Sequence, residues 1–327
     1  MVPVLRAAGH EVVGLDSGLF ATCGFPMPLA PIATIEKDIR DVTAEDLKGF
    51  DAVAHLAALS NDPLGDLDAE LTRDINYRAS VRLAKLARDA GATRFLYASS
   101  CSMYGAASSA DLLTEEAPLC PVTPYAESKV RAEEELTELA DSDFSPVFLR
   151  NATAYGLSPR LRGDVVLNNL VGWAHTTGQV RIMSDGTPWR PIVHVTDIAR
   201  AFAACLVAPR EAIHNQAFNI GRSDENYQVR EMAELVQRIV PGSRIEYANT
   251  TGPDPRNYRV DFAKVKLQLP GFKPQEDAVS AATSIRQALE QFQIDNKTFV
   301  GPAFTRLAQI RCLRDSGQVD AELRWTH

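Results

Sequence analysis

The chain has no membrane-length hydrophobic run, no cysteine pairing pattern and no surplus of positive charge. Its longest uninterrupted apolar stretch, residues 201–208, falls far short of the roughly 20 residues that span a bilayer. A membrane-spanning helix is therefore excluded. The apolar start is broken by Arg6, His10 and Glu11, with no small-residue cleavage pattern after it, so no export signal is expected and a cytoplasmic protein is. The five cysteines, Cys23, Cys101, Cys120, Cys205 and Cys312, are odd in number, widely spaced and free of C-x-x-C, which excludes a disulfide framework. With 42 acidic against 34 scattered basic residues and a net charge of −8, neither nucleic acid nor an anionic membrane is an expected partner. The histidines His10, His55, His175, His194, His214 and His327 show no paired ligand spacing, so no metal site is expected. None of the 19 glycines forms G-x-G-x-x-G or G-x-x-G-x-x-G.

What is present is a 327-residue chain with 45% apolar and 23% charged residues, enough to bury a sizeable core. Short β-branched or apolar runs at 11–16, 32–35, 51–56, 94–99 and 145–149 alternate with amphipathic segments. The clearest segment is 66–90, where Leu71, Ile75, Ala79, Leu83 and Leu86 recur at helical spacing. That alternation predicts an α/β fold, a doubly wound parallel sheet with helices on both faces, over residues 1–150. After Arg150 the texture changes to isolated helices at 165–176 and 229–240, with short strands near Arg181, Ile192 and Ile245. Residues 151–327 are read as a mainly substrate-binding, smaller α/β lobe with some segments returning to the first domain. The basic, amphipathic tail 304–325 is expected to be a helix packed on the body.

The opening is unusual. A Rossmann-type domain begins with a strand, a Gly-rich turn and a helix whose N-terminus holds a pyrophosphate. Here residues 2–10 read as the end of that helix, followed by a strand ending at Asp16. The first strand and its phosphate turn do not precede them in this sequence, so the dinucleotide domain is expected to be N-terminally truncated.

Two clusters carry chemistry. Tyr125-Ala126-Glu127-Ser128-Lys129 follows Pro121 and Pro124 and opens a helical run, so Tyr125 and Lys129 share one face. A helix N-terminus and a nearby ammonium favour phenolate, which predicts a lowered Tyr125 pKa suited to a general base. Ser99-Ser100-Cys101-Ser102-Met103-Tyr104-Gly105 lies at the C-terminal end of a predicted strand, where ligands bind in open α/β sheets. Ser100 is therefore a second donor to the same substrate oxygen.

With S-S-C-S-M-Y-G, P-Y-A-E-S-K, L-R-N-A-T-A-Y-G and R-P-I-V-H-V-T-D-I-A in that order, the chain resembles the extended short-chain dehydrogenase/reductases that act on nucleotide sugars, including UDP-galactose 4-epimerases and dTDP-glucose 4,6-dehydratases. The resemblance covers essentially the whole chain and implies NAD as cofactor, a nucleotide-diphosphate sugar as substrate and a homodimer through the helices starting near Asp66 and Tyr125. It implies that Asp16 binds the adenosine ribose, that Asp38 and Ile39 contact adenine, and that Leu56, Ala57 and Ala58 lie beneath the pyrophosphate, with Asn76 near them. It places Thr153, Asn169, Leu170, Arg190 and Arg256 around the sugar nucleotide, with Tyr125, Lys129 and Ser100 as the catalytic set. His194 is read as structural.

In this resemblance the dehydratases remove a C5 proton with an Asp-Glu pair directly after the catalytic Ser or Thr. Here those positions are Cys101 and Ser102. The expected activity is thus an NAD-dependent epimerase working through a 4-keto intermediate. A 4,6-dehydratase, decarboxylase or ketoreductase is the alternative within the family, and a cofactor-poor, inactive binding relative the alternative of another class. Cys101 is read as a buried thiol rather than an acid or base.

Overall fold

The computed structural model describes residues 1–105, 112–248 and 256–326. Asp254 and Pro255, which open the D-P-R-N stretch before Arg256, and the terminal His327 lie outside the described residues. After an N-terminal helix, Val2–Ala7, come strands β1 (Val13–Asp16), β2 (Ala33–Glu36), β3 (Ala52–His55) and β4 (Arg94–Ser100). β3 and β4 pair in parallel, β4 pairs with Ser145–Asn151, and that strand pairs with Gln216–Ile220. Residues far along the chain thus complete the main sheet. β1 and β2 form their own parallel pair, with Asp16 opposite Glu36, and so end side by side.

Alternation along β4 builds both faces. Phe95 and Tyr97 point to one side with Phe144, Phe148, Leu83 and Leu136, the last two from the helices Ala79–Asp89 and Pro124–Thr137. Leu96 points to the other with Val147, Leu149 and Phe202 of the helix Val195–Val207. All five aromatic rings are at most 3% exposed, and each contributes about 1.5–3 kcal/mol by burial. The sheet is therefore wound on both faces.

The predicted helix 66–90 is seen as Ala69–Arg73, a π turn over Asp74–Arg78, and Ala79–Asp89. A single extra residue in such a turn rotates the side chains that follow, and here it delivers Asn76 to the loop after β3. A separate core packs Val166–Thr177, Val229–Ile239 and Ala278–Gln291 around Leu167, Val171, Ile182, Val236 and Ile285. Beside them lie the strand pairs Gln179–Ile182 with Arg244–Tyr247 and Trp189–His194 with Asn226–Gln228.

The tail departs from the expected continuous helix. Helix Arg306–Asp315 stops at Ser316, where Gly317 takes φ +70°, a conformation only glycine adopts without strain. A hairpin follows, with Val319 bridged to Trp325.

Candidate active site

The helix Pro124–Thr137, which carries Tyr125 and Lys129, starts at a well-made cap. Pro124 opens it with a preset φ, and Thr123 Oγ1 accepts from the Ala126 amide at 3.2 Å while donating to Asp62 Oδ1 at 2.7 Å. Tyr125 sits in the first turn, and Lys129 one turn later is 3% exposed. Lys129 Nζ donates to the Ala98 carbonyl of β4 at 2.8 Å, 4.5 Å from the Tyr97 ring centre and 5.8 Å from that of Tyr125. Ser100 ends β4, and its hydroxyl accepts from the Ser102 amide at 3.1 Å and lies close enough to the Tyr125 phenol to pull its pKa down. The strand end and the helix start thus bring Ser100, Tyr125 and Lys129 into one cluster.

The electrostatics correct one expectation. Burial pushes the Tyr125 phenol up, not down, with Ser100 and Arg162 opposing and Asp62 reinforcing. Burial also lowers Lys129 to about 7, partly offset by Glu133. Both groups lose water, and the ammonium is spent on the Ala98 carbonyl rather than on the phenol, so removal from solvent outweighs their mutual attraction. His55, hydrogen-bonded to Ser80 Oγ at 2.7 Å, is held to about 3 by burial and by Lys129, so it is neutral.

The loop 56–58 lies at the end of β3, with Leu56 and Ala57 exposed and Ala58 half-buried. Asn76 fixes the following residue, accepting from the Leu59 amide at 2.8 Å and donating to its carbonyl at 3.1 Å. Asp16 is exposed at the end of β1, with one carboxylate oxygen accepting from the Gly18 amide at 2.7 Å. Its second oxygen is available to a ribose.

Asp38 and Ile39 open the turn after β2. Asp38 caps the turn Ile39–Asp41, pairs with Arg40 at 2.8 Å and faces Arg324 at 3.7 Å. Those guanidiniums hold its carboxyl below the usual range against the opposing effect of burial. Ile39 is in the core with Leu19, Leu71 and Leu323.

Around the expected sugar-nucleotide end, Arg190 is 8% exposed, and its guanidinium donates to the carbonyls of Trp189 and Arg256. Arg256 pairs with Asp62, so both arginines connect through Asp62 and Thr123 to the helix Pro124–Thr137. Asn169 donates to the Gly163 carbonyl at 2.7 Å, Leu170 is buried in the separate core, and Thr153 lies half-buried in the strand Thr153–Tyr155. His194 caps helix Val195–Val207, its Nδ1 accepting from the Thr196 amide at 3.1 Å.

Cys101 is 1% exposed, and its thiol donates to the Arg150 carbonyl at 3.1 Å. Burial drives it far above the usual thiol range. Positions 101 and 102 carry no carboxylate. Sequence reasoning missed Asp62, Arg162, Glu133 and Arg150. Glu133 had a signal, standing four residues after Lys129; Asp62 and Arg162 had none.

Comparison with known proteins agrees with this architecture. A family model described as the NAD dependent epimerase/dehydratase family matches residues 1–221. The chain belongs to that family. It is 30% identical over 308 residues to a UDP-glucose 4-epimerase of Mycolicibacterium smegmatis, covering 90% of this chain and 94% of that protein. Among solved structures it resembles MoeE5 in complex with UDP-glucuronic acid and NAD, at TM-score 0.74 and 26% identity over 89% of this chain and 94% of the other. It also shares the fold of a UDP-glucose 4-epimerase with UDP-glucose from Thermotoga maritima, at TM-score 0.78 and 22% identity over 90% and 95%. Among the described residues no helix is long and apolar enough to cross a membrane, and no group of three or more His, Cys, Asp or Glu is placed to hold a metal ion.

Proposed function

We propose that the protein is an NAD-dependent 4-epimerase of a nucleotide-diphosphate sugar. The observation that carries this is that Ser100 at a strand end and Tyr125 in the first turn of its helix lie together, with Cys101 and Ser102 following Ser100, a site equipped to move one hydroxyl proton and without the adjoining carboxylates that elimination needs. The residues fit the cofactor at two points: the exposed Asp16 oxygen suits a ribose diol, and the buried Lys129 ammonium, with one carbonyl partner at 2.8 Å, has further N–H donors for a second ribose. The 56–58 loop and Asn76 support the stretch between them. Asp38 and Ile39 serve the adenine end by shaping its turn. When bound, NAD supplies the acceptor and donor of hydride.

The chain's own residues handle the proton. In its phenolate form, which Ser100 and Arg162 favour against burial, Tyr125 takes the proton of the C4 hydroxyl, and Ser100 holds the same oxygen so that charge builds against a fixed donor. The resulting 4-keto sugar is neutral at C4 and turns over within the site. Tyr125 then returns its proton to the oxygen as the opposite face is reduced. Arg190 and Arg256 grip the diphosphate, where a guanidinium fork matches two oxygens, and Thr153, Asn169 and Leu170 line the same end. A second copy docks through the 66–90 region and the catalytic helix, whose exposed Arg82 and Lys85 on one and Glu134 and Glu138 on the other offer opposite charge.

The test is a panel of UDP-, dTDP- and GDP-sugars with product stereochemistry read by NMR. Inverted configuration at C4 is expected, and Tyr125→Phe abolishes it with nucleotide-sugar affinity retained. Release of a 4-keto-6-deoxy sugar overturns the assignment in favour of dehydration. Sedimentation velocity reads the dimer.

A further inference from the structure

The tail hairpin crosses the C-terminal ends of β1 and β2. Trp325 Nε1 donates to the Ser17 carbonyl at 2.6 Å, immediately past Asp16. Arg324 pairs with Asp41 and stands 3.7 Å from Asp38, while Arg40 reaches back to the Glu322 carbonyl at 2.8 Å. From the preceding helix, Gln309 donates to the Leu19 carbonyl at 3.2 Å. Every turn at the adenosine end is therefore tied to residues some three hundred positions away.

The hairpin is built to hold this position. Asp320 Oδ1 accepts from the amides of Glu322 and Arg324 at 2.9 and 2.8 Å, and the Asp320 amide closes on the Arg324 carbonyl at 2.9 Å. Leu323 adopts φ +60° and is 1% exposed, packed with Leu19, Ile39, Leu71 and Ile75. A leucine tolerates that backbone only where its surroundings enforce it. Trp325 itself is 44% exposed, so an indole anchored through its N–H leaves much of its ring uncovered beside Asp16.

We propose that the hairpin 318–326 is part of the dinucleotide site, with Trp325 as an adenine-stacking residue and Arg324 as a positioning residue for the Asp38–Asp41 turn. This rests on the NAD assignment above. Stacking on an indole is tolerant of base identity and needs only an open π face, and anchoring to Ser17 sets that face next to the carboxylate expected on the same nucleoside.

The test compares Trp325→Ala, Trp325→Phe and Arg324→Ala with the wild type. Binding of NAD, ADP-ribose, nicotinamide mononucleotide and UDP is measured by calorimetry, and backbone exchange by mass spectrometry on ligand-free protein. Trp325→Ala is expected to weaken NAD and ADP-ribose about tenfold with nicotinamide mononucleotide and UDP unchanged. Trp325→Phe keeps a ring and retains most of the affinity, and it decides the matter if the alanine variant fails to fold. Arg324→Ala speeds exchange over residues 36–41. Unchanged NAD affinity in both Trp325 variants, or tighter binding that would mark the hairpin as a plug, overturns the assignment. Wild type that binds UDP but no NAD overturns the functional reading with it, whereas wild type and variants binding NAD equally overturn the hairpin alone.

Discussion

Glu133 stands one helical turn beyond Lys129, and its carboxylate is closed by the guanidinium of Arg150 at 2.7 Å, with both side chains under 10% exposed. Arg150 also reaches Tyr104 Oη at 3.3 Å and the Glu115 carbonyl at 2.9 Å. One buried ion pair therefore joins the catalytic helix to the strand Ser145–Asn151 and to the segment after Ser100. Removing one partner of such a pair strands the other charge, which costs about 3–5 kcal/mol. Glu133→Ala is expected to lose stability of that order in urea unfolding, and Glu133→Met with Arg150→Met to recover much of it. A double variant whose loss equals the sum of the two single losses would show that the pair does not act as a unit.

Lys129 gives the protein a pH signature. Its folded pKa is lowered to about 7 from the ordinary 10.5, so the unfolded chain binds a proton over that interval that the native protein has released. Stability attributable to this residue therefore rises as pH climbs from about 7 toward 10.5, by up to about 1.4 kcal/mol per unit. Below pH 7 the burial cost is paid in full. The opposing Glu133 carboxylate, the neutral His55 and the phenols of Tyr97 and Tyr125 are the titratable groups facing it. Relative to the wild type, Lys129→Met is expected to melt higher at pH 6, with the difference shrinking by pH 9. A difference independent of pH would mean that the ammonium is not desolvated.

Gly65 backs the catalytic phenol. A Cβ placed there meets Tyr125 Cβ at 2.9 Å and its backbone nitrogen at 3.2 Å, and neither can yield without moving the first turn of the catalytic helix. Since displacements of about an ångström cost on the order of a hundredfold in rate, Gly65→Ala is expected to lower kcat strongly while KM for the sugar nucleotide stays near its wild-type value. Steady-state kinetics separate this from a loss of binding. An unchanged kcat would mean that Tyr125 is not positioned by this contact.

The strands 94–99 and 145–149 were readable from sequence because a strand buried on both faces is a continuous apolar run, and the shared face of Tyr125 and Lys129 because their spacing is local. Membership of the family was readable for the same reason, through ordered short motifs. What was not readable is long-range. The tail hairpin has no periodicity, since its backbone is set by Asp320 and by the burial of Leu323 against elements distant in sequence. The upward displacement of the Tyr125 pKa was missed because spacing reports proximity of charge but not loss of water. The ion pairs of Asp38 with Arg40 and Arg324 were unreadable for a related reason, since motif order says nothing of partners distant in sequence.

The thiols test the inert role given to Cys101. Cys23, Cys101 and Cys205 are buried, while Cys120 and Cys312 are exposed. Burial raises Cys23 and pushes Cys205 up to about 12, and a protonated, enclosed thiol is a poor nucleophile. Iodoacetamide on the native protein is expected to label Cys120 and Cys312 alone, read by peptide mass spectrometry. Cys101→Ala removes only a weak sulfur donor to the Arg150 carbonyl, so turnover should stay within a few-fold of the wild type. Loss of turnover in a folded Cys101→Ala protein, together with labelling of Cys101, would instead make this thiol an acid or base, because such a result requires both access and a reachable thiolate. A proton would then be exchanged at a second sugar carbon, and solvent deuterium would enter the product there as well as at oxygen.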